Sequence, residues 1–538
     1  MATTEASAFT SQRTSMSETA RASTRSPSPD HASSSPRKAN SSDLESSKPT
    51  HDVSADTSAA GEKSGSATPT SSDPNEVTFS ENDPCNPQNW SRSRKVTLLI
   101  VVSLCAFVVT CTSSIISNAY GGIQAEFGIS KEVAILGLSL FVVGLGIGPM
   151  LLGPMSEFYG RRPIYLWSYS AFVLLGLPVS FANNLPVFLI FRFLTGFCGS
   201  AFLSVAGGTV ADVFSAKEIF VPMAVYTNGP FLGPVFGPLL SGFINQNTQW
   251  RWTFWVINIW SAGMLVVLVF FAPESYAPVL LIKKAQRLRE ETGNTELFAK
   301  HERILGHKSI KRTVITSTTR PFQLLIQEYM LTLLCIWSAL LLGILYLLFV
   351  AFPIVFSRHG FNLQQVGLTF LGIGVGMLLA VCSMPLWARH YTNLVETKGN
   401  GVAEPEFRLP VGMFGALLMP IGMFWFAFTS YPAVPWIVPV LATVFIGAGI
   451  SYIYVSVFTY TTHAYRPVAA SAMAANSFVR ATWAAAFPLF ASQMYTKLTP
   501  EGASALLAGL NVLMIPIPIL FYKYGKQIRA RSKFTLSS

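Results

Sequence analysis

From residue 91 to residue 523 the chain alternates long apolar runs with short polar breaks. A helix that crosses a bilayer needs about 20 mostly apolar residues. Runs of that length fall near 96–117, 133–155, 163–182, 186–211, 219–243 and 252–272. Six more follow near 329–356, 365–387, 409–430, 434–458, 467–494 and 502–522. The charged stretch from Glu274 to Gln327 divides the two sets. The pattern predicts an all-α membrane protein, with twelve transmembrane helices in two pseudo-symmetric six-helix bundles. The expected domains are a tail at 1–90, bundles at 91–273 and 328–523, a central linker at 274–327 and a short basic tail at 524–538.

Composition supports lipid as the main solvent. Hydrophobic residues make up 51% and charged residues 12%, about half the charged share of an average soluble domain. Residues 1–90 are rich in Ser, Thr and Pro and poor in aliphatic clusters. That stretch cannot bury enough apolar surface to fold and is expected to be disordered. It lacks the apolar core of a cleavable signal peptide. Cys85 lies in the tail and Cys105, Cys111, Cys198, Cys335 and Cys382 lie in apolar runs, so no disulfide framework or metal-ligand spacing is expected.

Charge sets the expected orientation. The net +11 divides into −5 for residues 1–90 (7 basic, 12 acidic) and +16 for the rest (31 basic, 15 acidic). The basic excess lies in alternate loops: Arg92, Arg94 and Lys95, then Arg161 and Arg162, then the linker, then Arg389, Lys398 and Arg408, then Arg466, and finally the end of the chain. The positive-inside effect places both termini and the linker in the cytoplasm. It also explains the basic pI without nucleic-acid binding. The linker run Lys-Lys-Ala-Gln-Arg-Leu-Arg-Glu-Glu at 283–291 reads either as an amphipathic surface helix or as a solvated tether.

Residues 228–238 read Asn-Gly-Pro-Phe-Leu-Gly-Pro-Val-Phe-Gly-Pro. Gly229, Gly233 and Gly237 recur every fourth residue, so they line one helical face that a second backbone can approach. Pro230, Pro234 and Pro238 remove donors beside that face. Such a face is expected to slide or seal against a partner, closing the seam between moving bundles. Gly233→Leu would then stop export and leave surface expression intact. Between the second and third runs, 153–163 reads Gly-Pro-Met-Ser-Glu-Phe-Tyr-Gly-Arg-Arg-Pro. It puts Glu157, Arg161 and Arg162 where two helix ends meet, and a carboxylate there can hold an Arg or a helix N-terminus in one conformation only.

The 153–163 loop resembles the signature loop of the major facilitator superfamily. Arg-Phe-Leu-Thr-Gly-Phe-Cys-Gly at 192–199 resembles the fourth-span motif of its proton-linked members, and 228–238 the fifth-span motif of its antiporters. Asn-Pro-Gln-Asn-Trp at 86–90, the Pro-Glu-Ser-Tyr segment from 273 and Ala-Ala-Ser-Ala-Met-Ala-Ala-Asn at 469–476 resemble fungal twelve-span drug:proton antiporters. That group exports drugs, polyamines and fungal toxins such as cercosporin. The resemblance implies a proton-transfer role for Arg192. His463 stands where many members of the group carry an Asp, which puts that position's part in coupling in doubt.

Charges inside spans are costly and mark function by default. Only Arg192 and Arg480 lie deep in the runs. Asn476 sits one turn before Arg480, within reach of it or of a substrate. Glu157, Asp212, Glu274 and Glu328 lie near one edge and Glu126 near the other. With no deep carboxylate to offset a polycation, neutral, lipophilic or weakly anionic cargo is favoured. Asp212, Glu157, Glu274 and His463 are the titratable candidates for the coupling proton. Candidate cavity residues are Asn118, Tyr120, Tyr226, Asn228, Tyr346, Tyr452 and Tyr454, beside Asn476 and Arg480, since aromatic walls with few polar anchors bind flat lipophiles adaptably.

The absence of a Gly-Lys-Ser/Thr nucleotide loop argues against ATP hydrolysis. No cofactor and no enzyme activity are expected. The expectation is a monomeric plasma-membrane proton antiporter that exports lipophilic drugs, fungicides or a self-made toxin. The partners are then the bilayer, small lipophilic substrates and protons, with no nucleic acid. Polyamine export and nutrient sensing are the alternatives.

Overall fold

The computed structural model describes residues 75–80, 82–215, 218–307, 310–399, 402–532 and 534. The expected disorder of residues 1–74 lies outside them. Ten helical stretches are long and apolar enough to cross a membrane: Arg92–Asn118, Lys131–Tyr159, Arg161–Phe181, Leu185–Val213, Arg251–Phe271, Tyr329–Ser357, Leu363–Thr397, Pro405–Thr429, Ile437–Ala464 and Thr499–Ala530. Two further long helices, Phe220–Asn247 and Ala469–Lys497, take the fifth and eleventh places. Their Gly, Pro, Ala and Asn content lowers their hydropathy. A helix that faces protein rather than lipid tolerates that composition.

Local signals start the spans. Ser130 and Asn184 cap the second and fourth, accepting from the N–H groups of Val133 and Val187. Asn362 and Gln365 form a reciprocal capping box at the eighth. The seventh span has 83% of its apolar window buried and the sixth and twelfth only 33%, which makes the first a central helix and the others lipid-facing. Trp167, Leu174, Ile259 and Phe270 are among the exposed apolar side chains, as a lipid solvent requires.

The first described segment meets the linker at Phe298 and Ser532 meets Glu328, so this side is here the linker end and the opposite is the far end. Hydrogen bonds join the bundles from the far end inward. Leu363 N–H donates to Gln246 (3.2 Å), Ser139 Oγ to the Ala485 carbonyl (2.6 Å) and Ser451 Oγ to Asn228 Oδ1 (2.9 Å).

Within residues 75–80 and 82–90, which composition assigns to a disordered tail, the chain docks through a few contacts. Val77 N–H donates to Phe298 O (2.9 Å), and Phe298 N–H to Asn75 O (3.0 Å). Val77 is buried with Ala285 and Ala299, and Asp83 pairs with Lys284. A few apolar side chains suffice to dock a short segment that average composition marks as polar. The linker run 283–291 lies within a helix, Ala277–Thr292, which is the surface that receives this segment.

Candidate functional site

The signature loop folds around Glu274. Gly160, with φ +97°, turns the chain from the second span into the third, and a Cβ there would lie 2.6 Å from Glu274 Oε2. Only glycine meets both demands. The Glu274 carboxylate accepts from the backbone N–H groups of Arg161 (2.9 Å), Arg162 (3.1 Å), Ser275 (3.1 Å) and Tyr276 (2.9 Å). It thereby satisfies the open N-terminus of the third span. Arg161 Nε pairs with Asp212 at 3.1 Å, its Nη1 donates to Ser156 Oγ at 2.6 Å, and its plane covers Tyr276 at 4.7 Å. Tyr276 lies outside the spans; burial first, then the nearby Glu157 carboxylate, pushes its phenol up to about 12. Arg162 donates to Val269 O at 3.2 Å. Glu157 is exposed, and its side chain bonds to no described residue; its carbonyl meets His301 at 3.3 Å. The predicted cluster therefore forms around Arg161, Asp212 and Glu274 and leaves Glu157 out.

Arg192 is fully buried in the fourth span. It donates to the carbonyls of Gly137 (2.9 Å), Thr112 (3.1 Å) and Ser113 (3.4 Å), and lies over Phe141 at 4.5 Å. Carbonyl dipoles and a π face, rather than a carboxylate, stabilise the charge. A cavity of about 10 Å³ adjoins it, lined by Thr195, Asn258 and Ser261 among others.

Arg480 lies on the seam. Its guanidinium carbon is 5.7 Å from the ring of Phe231 on the fifth span, and 5.5 and 5.1 Å from Tyr454 and Phe458 on the tenth. Phe231 and Tyr454 stack across the bundles at 4.2 Å. Asn476 does not reach Arg480. Its Nδ2 donates to Ser338 Oγ at 2.7 Å, because the two helices they belong to pack side by side.

The other cavity candidates divide. Tyr346 and Asn228 reach across the seam to Ser113 (2.6 Å) and Ser451. Tyr454 lies there too, donating to Ser338 O at 2.6 Å. Tyr226 donates to Phe202 O (3.0 Å), Tyr452 pairs with Ser383 (2.6 Å) and Asn118 donates to Pro238 O (2.8 Å), each inside its own bundle. Tyr120 starts a short helix, Tyr120–Phe127, beyond the first span, with its hydroxyl buried and unpartnered. His463 is half-buried with Nδ1 unpartnered, and its charged surroundings are Arg408, Arg466 and Arg529.

The glycine face points elsewhere than expected. A Cβ on Gly229 would lie 3.1 Å from Ser103 O, one on Gly233 2.6 Å from Phe107 O, and one on Gly237 2.9 Å from Cys111 O. All three face the first span of their own bundle. The seam is met by another side of the same helix: Gly374 lies against Val235, Gly367 against Pro238, and Gly242 against Leu363. Fourfold spacing fixes which residues share a face but not which neighbour that face meets. The sequence reading missed Phe231, Phe458, Ser113, Ser338 and Ser451; among these only the neighbours of the Gly-Pro motif carried a local signal.

Residues 102–488 match the model of the Major Facilitator Superfamily. "Efflux pump atB" of Aspergillus terreus is 47% identical over 396 residues, covering 72% of this chain and 83% of its own length. "Probable drug/proton antiporter YHK8" of Saccharomyces cerevisiae is 40% identical, covering 85% and 90%. Among solved structures, the xylose transporter XylE from E. coli aligns with TM-score 0.55 at 19% identity, covering 80% of this chain and 99% of its own. The human organic anion transporter MFSD10 aligns with TM-score 0.56 at 18% identity, covering 79% and 99%. These likenesses to solved structures carry the fold. The chain belongs to the Major Facilitator Superfamily and is a membrane transporter, and its relatives include proteins named as an efflux pump and a probable drug/proton antiporter.

Proposed function

We propose that this protein exports small lipophilic molecules across the plasma membrane in exchange for protons, by alternating access of its two bundles. The observation that carries the reading is the seam itself. It is lined by stacked aromatic rings and a few hydroxyl and amide groups, and the Asp and Glu side chains of the described spans lie at or near helix ends. An apolar wall with sparse polar anchors suits varied flat lipophiles. The absence of a deep carboxylate disfavours polyamines as cargo. The basic loops at the linker end support cytoplasmic termini by the positive-inside rule. The relatives named as drug/proton antiporter and efflux pump support proton-driven export. Each proton entering contributes about 2.3 kcal/mol per 100 mV, plus any pH difference.

Vesicles reconstituted with the full chain test this. With cytoplasmic faces outward and an acidic lumen, a lipophilic dye should accumulate against its gradient, and ionophores that collapse pH and voltage should stop it. Equal accumulation with both collapsed would refute proton coupling.

A further inference from the structure

We propose that Arg480 docks an acidic group on the cargo, so that the transporter favours flat aromatic weak acids over neutral or cationic molecules of the same shape. This rests on the transport reading above and narrows its substrate class.

Arg480 and Arg192 are both deep arginines, but the structure treats them differently. Arg192 places its N–H groups on three carbonyls. Arg480 makes no hydrogen bond or ion pair with any described residue; its neighbours are the faces of Phe231, Tyr454 and Phe458. Aromatic faces stabilise a cation through their quadrupoles. They do not engage the N–H donors that project in the guanidinium plane, which are left open to a ligand in the seam.

The position suits a ligand. Arg480 is eleven residues into Ala469–Lys497, about 16 Å from the linker end at 1.5 Å per residue. It is half-buried, so part of its surface stays open. Its aromatic neighbours come from both bundles, so a molecule bound there touches both moving parts. One turn earlier, Asn476 Oδ1 is a buried acceptor without a donor, available to a hydroxyl on the same molecule. The fork of a guanidinium matches a carboxylate in two parallel bonds, and the flanking rings match a flat aromatic body. Because the acidic side chains of the described spans lie at or near helix ends, the acid that completes Arg480 must arrive with the cargo.

The probes are 1-naphthoate and its neutral isostere 1-naphthamide, at neutral pH where the acid is ionised, with Nile red as a neutral reporter. In the vesicles described above, naphthoate should be carried with kcat/KM about tenfold above naphthamide, as a charge-assisted bidentate contact would give. Arg480→Gln should bring the ratio of naphthoate to naphthamide kcat/KM to about one, whatever the absolute rates, and Arg480→Lys should restore part of the preference. Equal loss for both naphthyl probes, or a preference that survives Arg480→Gln, would overturn the proposal. If Arg480→Gln fails to fold, competition on the unmodified protein decides: naphthoate must inhibit Nile red export and naphthamide must not, and equal inhibition overturns it. Nile red export that ignores naphthoate sinks this proposal and spares the transport reading. Loss of all gradient-driven flux, with naphthoate but not naphthamide protecting the protein against thermal unfolding, sinks the transport reading and supports the site.

Discussion

Ser113 Oγ lies 2.6 Å from Tyr346 Oη, and the same Ser113 gives its backbone carbonyl to Arg192 at 3.4 Å. One residue of the first span thus links the buried arginine of one bundle to a central helix of the other. Tyr346→Phe removes the crossing bond and keeps the ring. Ser113 Oγ still donates to Thr110 O at 2.6 Å, so the loss is one hydrogen bond, about 0.5–1.5 kcal/mol. The far end should open more often. A cysteine at Gln246 should react with an impermeant maleimide about 2–10 times faster in the variant; an unchanged rate would show that this bond does not hold the bundles together.

Gly146 and Ala481 meet across the seam. A Cβ at Gly146 would lie 2.5 Å from Ala481 Cβ, so Gly146→Ala should wedge the bundles apart and lower export. Ala481→Gly makes room for the added methyl and should restore it in the double variant. Failure of that rescue would mean that the two spans do not approach this closely during transport.

The glycine face of the fifth span makes a different demand. Leucine at Gly233 would drive its Cβ to 2.6 Å from Phe107 O and 2.7 Å from Cys111 N, both backbone atoms of the first span that cannot turn aside. Gly233→Leu is therefore expected to reduce the amount of folded protein, not export alone. The check is the yield of monodisperse protein after detergent extraction; a normal yield with lost export would return the motif to a gating role.

Glu406 and Arg529 form a buried bidentate pair, 2.8 and 3.0 Å, with both side chains almost wholly covered. Glu406→Gln removes the carboxylate charge from this pair, and a thermal or denaturant assay should register about 3–5 kcal/mol of lost stability. Replacing both partners by apolar residues should lose far less.

Glu126 supplies a pH dependence at the far end. Burial raises its pKa, but hydrogen bonds from Arg251 and Trp250 outweigh that and hold the carboxyl below its ordinary value. A depressed folded-state pKa means that the clamp stabilises the protein above the unfolded value and fades as pH falls through the folded one. The melting-temperature difference between the unmodified protein and Glu126→Gln should therefore be full at neutral pH and shrink below about pH 4. A difference independent of pH would assign the effect to packing.

Much of the fold was legible because bilayer thickness imposes one length on every span. The runs near 133–155 and 329–356 sit inside Lys131–Tyr159 and Tyr329–Ser357. The place of Arg161 and Arg162 where two helix ends meet was legible too, since it follows from where the apolar runs stop. What the sequence hid was pairing at a distance. Nothing local marks Ser451 as the partner of Asn228, or Ser338 as the partner of Asn476, because a serine in a helix reads alike whether it faces lipid, its own turn or another bundle. The direction of the Gly229–Gly233–Gly237 face was hidden for the same reason.

The carboxylate of Glu274 gathers four amide hydrogens, two from the first turn of the third span and two from the start of the connector. A joint with that many bonds is stiff, so the connector leaves the first bundle as a lever and not as a slack cord. Any tilt of that bundle would therefore be passed on to the helix after it and to the strip of chain clipped to it at Val77.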